Sequence, residues 1–104
     1  MDRPPVKRGE IWWGNLGELR GSAPAYERPF LVLQADSFNR SGLNTVIGVT
    51  LTTNPRHASF PGNVYVTPLE TGLPEDSVVI VSQLVTLDRM FLIERVGQIS
   101  KDAL

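Results

Sequence analysis

Punctuation by glycine and proline constrains this chain more than any other feature. Eight prolines and nine glycines interrupt 104 residues, a density that suits many short strands. The intervals between these breakers are rich in β-favouring residues. "GEIWWGNL", bounded by Gly9 and Gly14, predicts a first strand over residues 9–14. "PFLVLQA" contains four consecutive apolar residues, Phe30 to Leu33, the pattern of a strand buried on both faces. "TVIGVTLTT" is a third β-rich run. Gly48 inside it points to a bulge, a bend or a close approach of two backbones. "NVYVTPL" alternates and "SVVIVSQ" is strongly apolar, so both read as strands. Polar loops connect them, among them "ELRGSAPAYER", "DSFNRSGLN", "NPRHASFPGN" and "TGLPEDS". Beyond Gln83 the pattern is mixed: a turn of helix around "LDRM", then a strand from Ile93 to Ile99. Ser100 stands where it could cap a helix beginning "KDAL". The expectation is one mostly β domain over residues 1–104, a small barrel or sandwich.

Composition narrows the functional classes. The absence of cysteine rules out a disulfide scaffold and thiolate metal sites, and fits a reducing cytosol. "MDRPPVKRGE" has no apolar segment of the signal-peptide kind, and no apolar run approaches the roughly 20 residues needed to span a bilayer. The net charge of −1 argues against a large electrostatic footprint for nucleic acid. Charge is uneven, however. Residues 1–56 hold seven Lys/Arg against five Asp/Glu, and residues 57–104 hold three against six. A local basic groove in the first half is compatible with this balance.

Most familiar chemistries lack their residues. His57 is the only histidine, and no carboxylate stands at a metal-ligand spacing from it. There is no G-x-S-x-G, no phosphate-binding G-x-x-x-x-G-K-[ST] and no G-x-G-x-x-G. Glu75 and Asp76 read as turn formers before a strand. Arg28 remains, just before the buried run, with Thr50, Thr52 and Thr53 at the end of the next β-rich run. If the two strands are antiparallel neighbours, Arg28 faces the threonines. A guanidinium fork matches two phosphate oxygens, and a threonine hydroxyl can donate to the same phosphate. Threonine is also common in strands for its branching, so composition alone leaves both readings open.

Several linked motifs then resemble one family. "VKRGEIWWGNL" with "RGS" at 20–22 is similar to the opening of MazF/PemK-type toxins of bacterial toxin–antitoxin systems. "RPFLVLQAD" resembles their Arg-Pro strand and "TVIGVTLTTN" the strand ending in their threonine. "EDSVVIVSQLVTLDR" resembles a later segment that carries a glutamine. The resemblance runs from Val6 to about Ser100.

It implies a small SH3-like, plasmid-maintenance-toxin β-barrel with short helices (mostly β, α+β), acting as a homodimer in the cytoplasm. The implied activity is an mRNA interferase, a metal-independent endoribonuclease that cuts single-stranded RNA at a short sequence and inhibits translation. No cofactor is implied. The implied partners are the RNA and a MazE-like antitoxin. Arg28 takes the place of the family's catalytic arginine and Thr52 that of its threonine, with Thr53 as the adjacent alternative. Ser22, Asn54, Gln83 and Arg20 join Thr53 as RNA-binding residues. Trp12, Trp13, Phe38 and Phe60 are candidate stacking surfaces for bases, or core and dimer filler. The chain departs from the family at "GSAPA" and at Ser82, where carboxylates are usual, which bears on the RNA sequence recognised. The family's C-terminal helix is expected to be short or truncated here. Two other readings keep the fold without the chemistry: a binding module that poisons a protein such as gyrase, and an inactive regulator that binds antitoxin.

Overall fold

The structure, a computed structural model, describes residues 5–18 and 25–100. Six strands form a single antiparallel sheet: β1 (Glu10–Glu18), β2 (Ala25–Val32), β3 (Thr45–Thr52), β4 (Val64–Val66), β5 (Ser77–Asp88) and β6 (Leu92–Gln98). Their order across the sheet is β4-β5-β3-β2-β1-β6. Two four-residue helices, α1 (Asp36–Asn39) and α2 (Pro68–Thr71), and two 3-10 turns complete the described elements.

The sheet curls into an open half-barrel, so its central strands bury both faces. One core contains Ile11, Leu31, Val49, Leu51 and Val79, with Val66, Leu73 and Ile99 closing it. The other contains Trp12, Phe30, Val32, Val46, Leu87 and Leu92. Alternate residues of β2 enter alternate cores, which is why "PFLVL" is apolar without a polar break. Gly48 is a close approach, one of the three options the sequence left open. A Cβ there would lie 2.2 Å from the Leu31 carbonyl oxygen and 2.6 Å from Phe30 Cζ.

Element bounds differ from expectation in three places. β1 does not stop at Gly14 but continues to Glu18, because Gly14 is paired on both sides, with Arg28 of β2 and Leu92 of β6. β2 begins at Ala25, not at Pro29, so Arg28 lies within a strand instead of before it. The neighbouring β1 holds this polar segment as strand through the pairs Asn15↔Glu27 and Gly14↔Arg28. β5 runs on to Asp88, because its second half pairs with the start of β3 beyond a register shift. The helical turn then falls at Arg89–Phe91. "DSFNRSGLN" and "TGLPEDS" read as turns, yet the first contains the whole of α1 and the second opens on the last residue of α2, helices too short to leave a periodic signal. The suggested helix at "KDAL" lies outside the described residues.

A buried polar network fixes the end of the sheet away from Pro29. The Gln34 amide donates to Asn39 Oδ1 at 2.9 Å, and Asn39 Nδ2 donates back to the Gln34 carbonyl at 2.9 Å. Asn39 also donates to Asp36, while its own carbonyl accepts from the buried Arg89 guanidinium.

Candidate active site

Pairing between β2 and β3 runs from Val32↔Gly48 to Phe30↔Thr50 and stops there. Both strands continue. β2 goes on to Ala25 with β1 beside it, and β3 goes on to Thr52 with β5 beside it. Pro29 is the first residue past the last rung, and a proline has no N–H to extend a ladder. A cleft of about 380 Å³ lies at this end of the ladder.

Arg28, Thr52, Thr53 and Asn54 all line it. The arginine and the threonines therefore meet as the antiparallel arrangement required. Side-chain alternation puts Arg28 on the face of Phe30, and Thr52 on the face of Thr50, its cross-strand partner. Thr50 itself is buried and is not part of the lining. The Thr52 hydroxyl oxygen accepts from the Asn54 backbone N–H at 3.2 Å, which leaves the hydroxyl hydrogen available to donate to a ligand. Asn54 Oδ1 accepts from the Arg56 N–H and caps the 3-10 turn at Pro55–Ser59. Its side-chain NH₂ remains the group to offer a ligand.

The other expected residues divide. Gln83 is exposed on β5, in the stretch between its two paired segments, and does not line this cleft. Arg20 and Ser22 lie outside the described residues. Of the four aromatics, Trp12 is buried and donates its indole N–H to Glu10. Trp13 is half-buried and lines the cleft. Phe38 borders a separate apolar groove with Leu43 and Ile47, and Phe60 packs edge-on against His57.

Two polar residues of the lining escaped the sequence reading. Glu27 sits beside Arg28, exposed in the cleft, and Ser77 opens β5 one residue before the partner of Thr52, Val78. The clue to Glu27 was its adjacency to Arg28; nothing in the sequence marked Ser77. Asp76 does more than shape a turn. Its carboxylate accepts from the Tyr65 hydroxyl, and this bond holds the Tyr65 ionisation above the ordinary tyrosine range. Tyr65, on β4, pairs with Val78 of β5, so this contact braces the strand that backs Thr52. Among the described residues, no group of three or more His, Cys, Asp or Glu converges on a point that could hold a metal ion.

Residues 7–104 match the family of PemK-like, MazF-like toxins of type II toxin–antitoxin systems. This chain belongs to that family. The toxin is 47% identical over 94 residues to endoribonuclease MazF6 of Mycobacterium tuberculosis, an overlap covering 90% of this chain and 82% of that protein. It is 30% identical over 97 residues to endoribonuclease EndoA of Bacillus subtilis, covering 93% and 83%. Its fold is that of solved relatives. A MazE–MazF crystal structure from Deinococcus radiodurans superposes with a TM-score of 0.77 at 22% identity, covering 97% of this chain and 86% of that one. A mycobacterial endoribonuclease in complex with its cognate antitoxin gives 0.68 at 24% identity, covering 98% and 82%. The small barrel-like toxin fold expected from the motifs is thus the fold of this MazF-like chain.

Proposed function

We propose that this chain is a toxin endoribonuclease that cuts single-stranded RNA, chiefly mRNA, at a short sequence without a metal ion. One observation carries the reading: Arg28 and Thr52, from strands that have stopped pairing, line one open cleft.

The chemistry follows from what the two side chains can do. The ribose 2′-hydroxyl gives its proton to water as its oxygen attacks the adjacent phosphorus, and the P–O5′ bond breaks. The products are a 2′,3′-cyclic phosphate and a 5′-hydroxyl, which takes up a proton as it leaves. The crowded, doubly charged phosphorane between them needs preorganised donors. The Arg28 fork supplies two N–H groups and Thr52 one O–H. A guanidinium holds its proton too tightly to serve well as a general base, so we assign Arg28 to charge stabilisation first. Supporting a metal-free route, the described lining of the cleft has one carboxylate, Glu27, and no histidine. Thr53 and Asn54 hold flanking phosphates or riboses. Gln83, outside the cleft itself, contacts the RNA, and Arg20 and Ser22 are further RNA-binding residues.

The relatives solved with antitoxins support a MazE-like partner, which would neutralise the toxin by covering this cleft. A homodimer in the cytoplasm, where mRNA is translated, fits the same reading.

The test is incubation of the purified protein with a long RNA in EDTA, followed by sequencing of the new 5′ ends. Discrete cuts carrying 5′-hydroxyls, abolished in Arg28→Ala and Thr52→Ala, are the expected result. RNA that stays intact at high enzyme concentration refutes the reading. Cuts that appear only after magnesium is restored refute its metal-free part.

A further inference from the structure

We propose that Glu27 selects a guanine base next to the scissile phosphate; this rests on the endoribonuclease reading. Glu27 and Arg28 are consecutive in a strand, so their side chains leave on opposite faces. Both nevertheless line the same cleft, because β3 no longer pairs with β2 at this point. Arg28 suits a phosphate. A carboxylate repels one, so Glu27 must meet a part of the ligand that donates.

Glu27 is available to do so. Glu10, Asp36, Glu70, Asp76 and Asp88 each accept from a neighbouring N–H or O–H. The Glu27 carboxylate has no hydrogen bond or ion pair among the described residues, and it is exposed in the cleft. Trp13 stands on the same face. It is the cross-strand partner of Pro29, two residues from Glu27, which makes Trp13 and Glu27 diagonal neighbours roughly 7–8 Å apart. A base stacked on the exposed part of the indole would turn its edge toward the carboxylate, the way splayed single-stranded bases are held.

Two carboxylate oxygens need two adjacent donors. Guanine offers them, N1–H beside the N2 amino group. Cytosine and adenine place a ring-nitrogen acceptor beside their amino group, and uracil flanks its single N–H with two carbonyls. Each of these would set a lone pair against Glu27.

The test reads binding and cleavage separately. Binding uses fluorescent oligo-dT strands, uncleavable for want of the 2′-hydroxyl, each with one guanine, inosine or adenine; inosine lacks only the N2 amino group. The wild-type chain should bind the guanine strand about 5- to 150-fold more tightly than the inosine or adenine strands, the range for a good bidentate base contact. Glu27→Gln and Glu27→Ala should erase that ratio, whereas Arg28→Ala should weaken all three strands alike. In cleavage, wild-type cut sites should share a guanine at a fixed position, and Glu27→Gln should relax it. Equal binding of guanine and inosine by the wild type overturns the proposal, as does a ratio unchanged in the Glu27 variants. Equal slowing of every cut site in Glu27→Gln would place the residue in the chemistry and overturn base selection. If RNA is never cut but guanine is still preferred, the nuclease reading fails and the base site stands. If RNA is cut with no shared guanine, only the base site falls.

Discussion

Replacing Gly48 by alanine tests how the back of the cleft is built. Among the described residues the positive-φ glycines are Gly9, Gly62 and Gly72; Gly48 is not one of them, so backbone strain is no part of the effect. What the glycine supplies is space. An added Cβ would meet the Leu31 carbonyl oxygen at 2.2 Å and Phe30 at 2.6 Å and 2.8 Å. The carbonyl belongs to a paired strand and the Phe30 ring is fully buried, so neither can give way locally. Forcing a methyl into such a core costs about 1–3 kcal/mol, and a backbone clash puts this site at or beyond the upper end. Reduced freedom of the unfolded chain offsets about 0.4–1 kcal/mol. The net loss is about 2 kcal/mol. With an unfolding entropy of about 2.1 cal/mol/K per residue, that lowers Tm by roughly 10 °C in a chain this size. Phe30 shares its face with Arg28, so cleavage should weaken as well. Thermal unfolding followed by circular dichroism measures the effect, with Gly42→Ala as the control. No atom lies within 4 Å of a Cβ at Gly42 and its φ is not positive, so its Tm should hold or rise by a few degrees. A Gly48→Ala protein melting at or above the wild type refutes the packing argument.

Other outcomes follow from the site and its supports. Arg28→Ala and Thr52→Val should each cut RNA about 10²–10³-fold more slowly, with Tm within about 2–3 °C of wild type; a fall like that of Gly48→Ala would make either side chain structural. The Asp36 carboxyl is held below its ordinary value, first by the Arg8 backbone N–H and then by the Asn39 amide. Its contribution to stability is therefore complete above the unfolded value of 3.8 and is lost as pH falls through the lower folded one; Asp36→Asn should flatten that part of an acid-unfolding curve. Tyr65 is displaced upward, chiefly by its bond to Asp76, so its share of stability is present below the ordinary value of 10.0 and is lost as pH rises through the folded value. An ultraviolet titration should show one tyrosine ionising late, and Asp76→Asn should bring it back toward the ordinary range.

Legibility in the sequence tracked burial. "PFLVL" could be read because a strand between two cores has no polar position, and Gly48 could be singled out because a β-rich run had one missing side chain. The extensions of β1 past Gly14 and of β2 back to Ala25 were not readable. Those residues are strand because each has a neighbour to pair with, which local composition does not encode. The second half of β5 misled for the opposite reason. Val81 and Leu84 are apolar yet exposed, so the run lacks the alternation that would mark its faces. In the site, Arg28 and Thr52 were found through order along the chain and the antiparallel arrangement it implied. Glu27 was not, because a cleft carboxylate and a solvated one look alike until the ladder is seen to end beside it.

The position of that ending accounts for how the proposed reactive groups are held. Arg28 is fixed through its backbone by Gly14 of β1, and Thr52 by Val78 of β5. Each strand is anchored on its outer side, away from the other, while the inner side is left unpaired beyond Phe30↔Thr50 and, among the described residues, is open as the cleft. A site on a free loop would have to order its donors when substrate arrives, at a cost of about 1–2 kcal/mol per residue fixed. Here sheet formation has already ordered the backbone of both strands, so under the proposed mechanism the donors are in place before a charge that exists only in the transition state. The Arg-Pro pair is then a single device. The proline stops the ladder that would close the cleft, and the residue before it is the first whose side chain the opening exposes to the ligand.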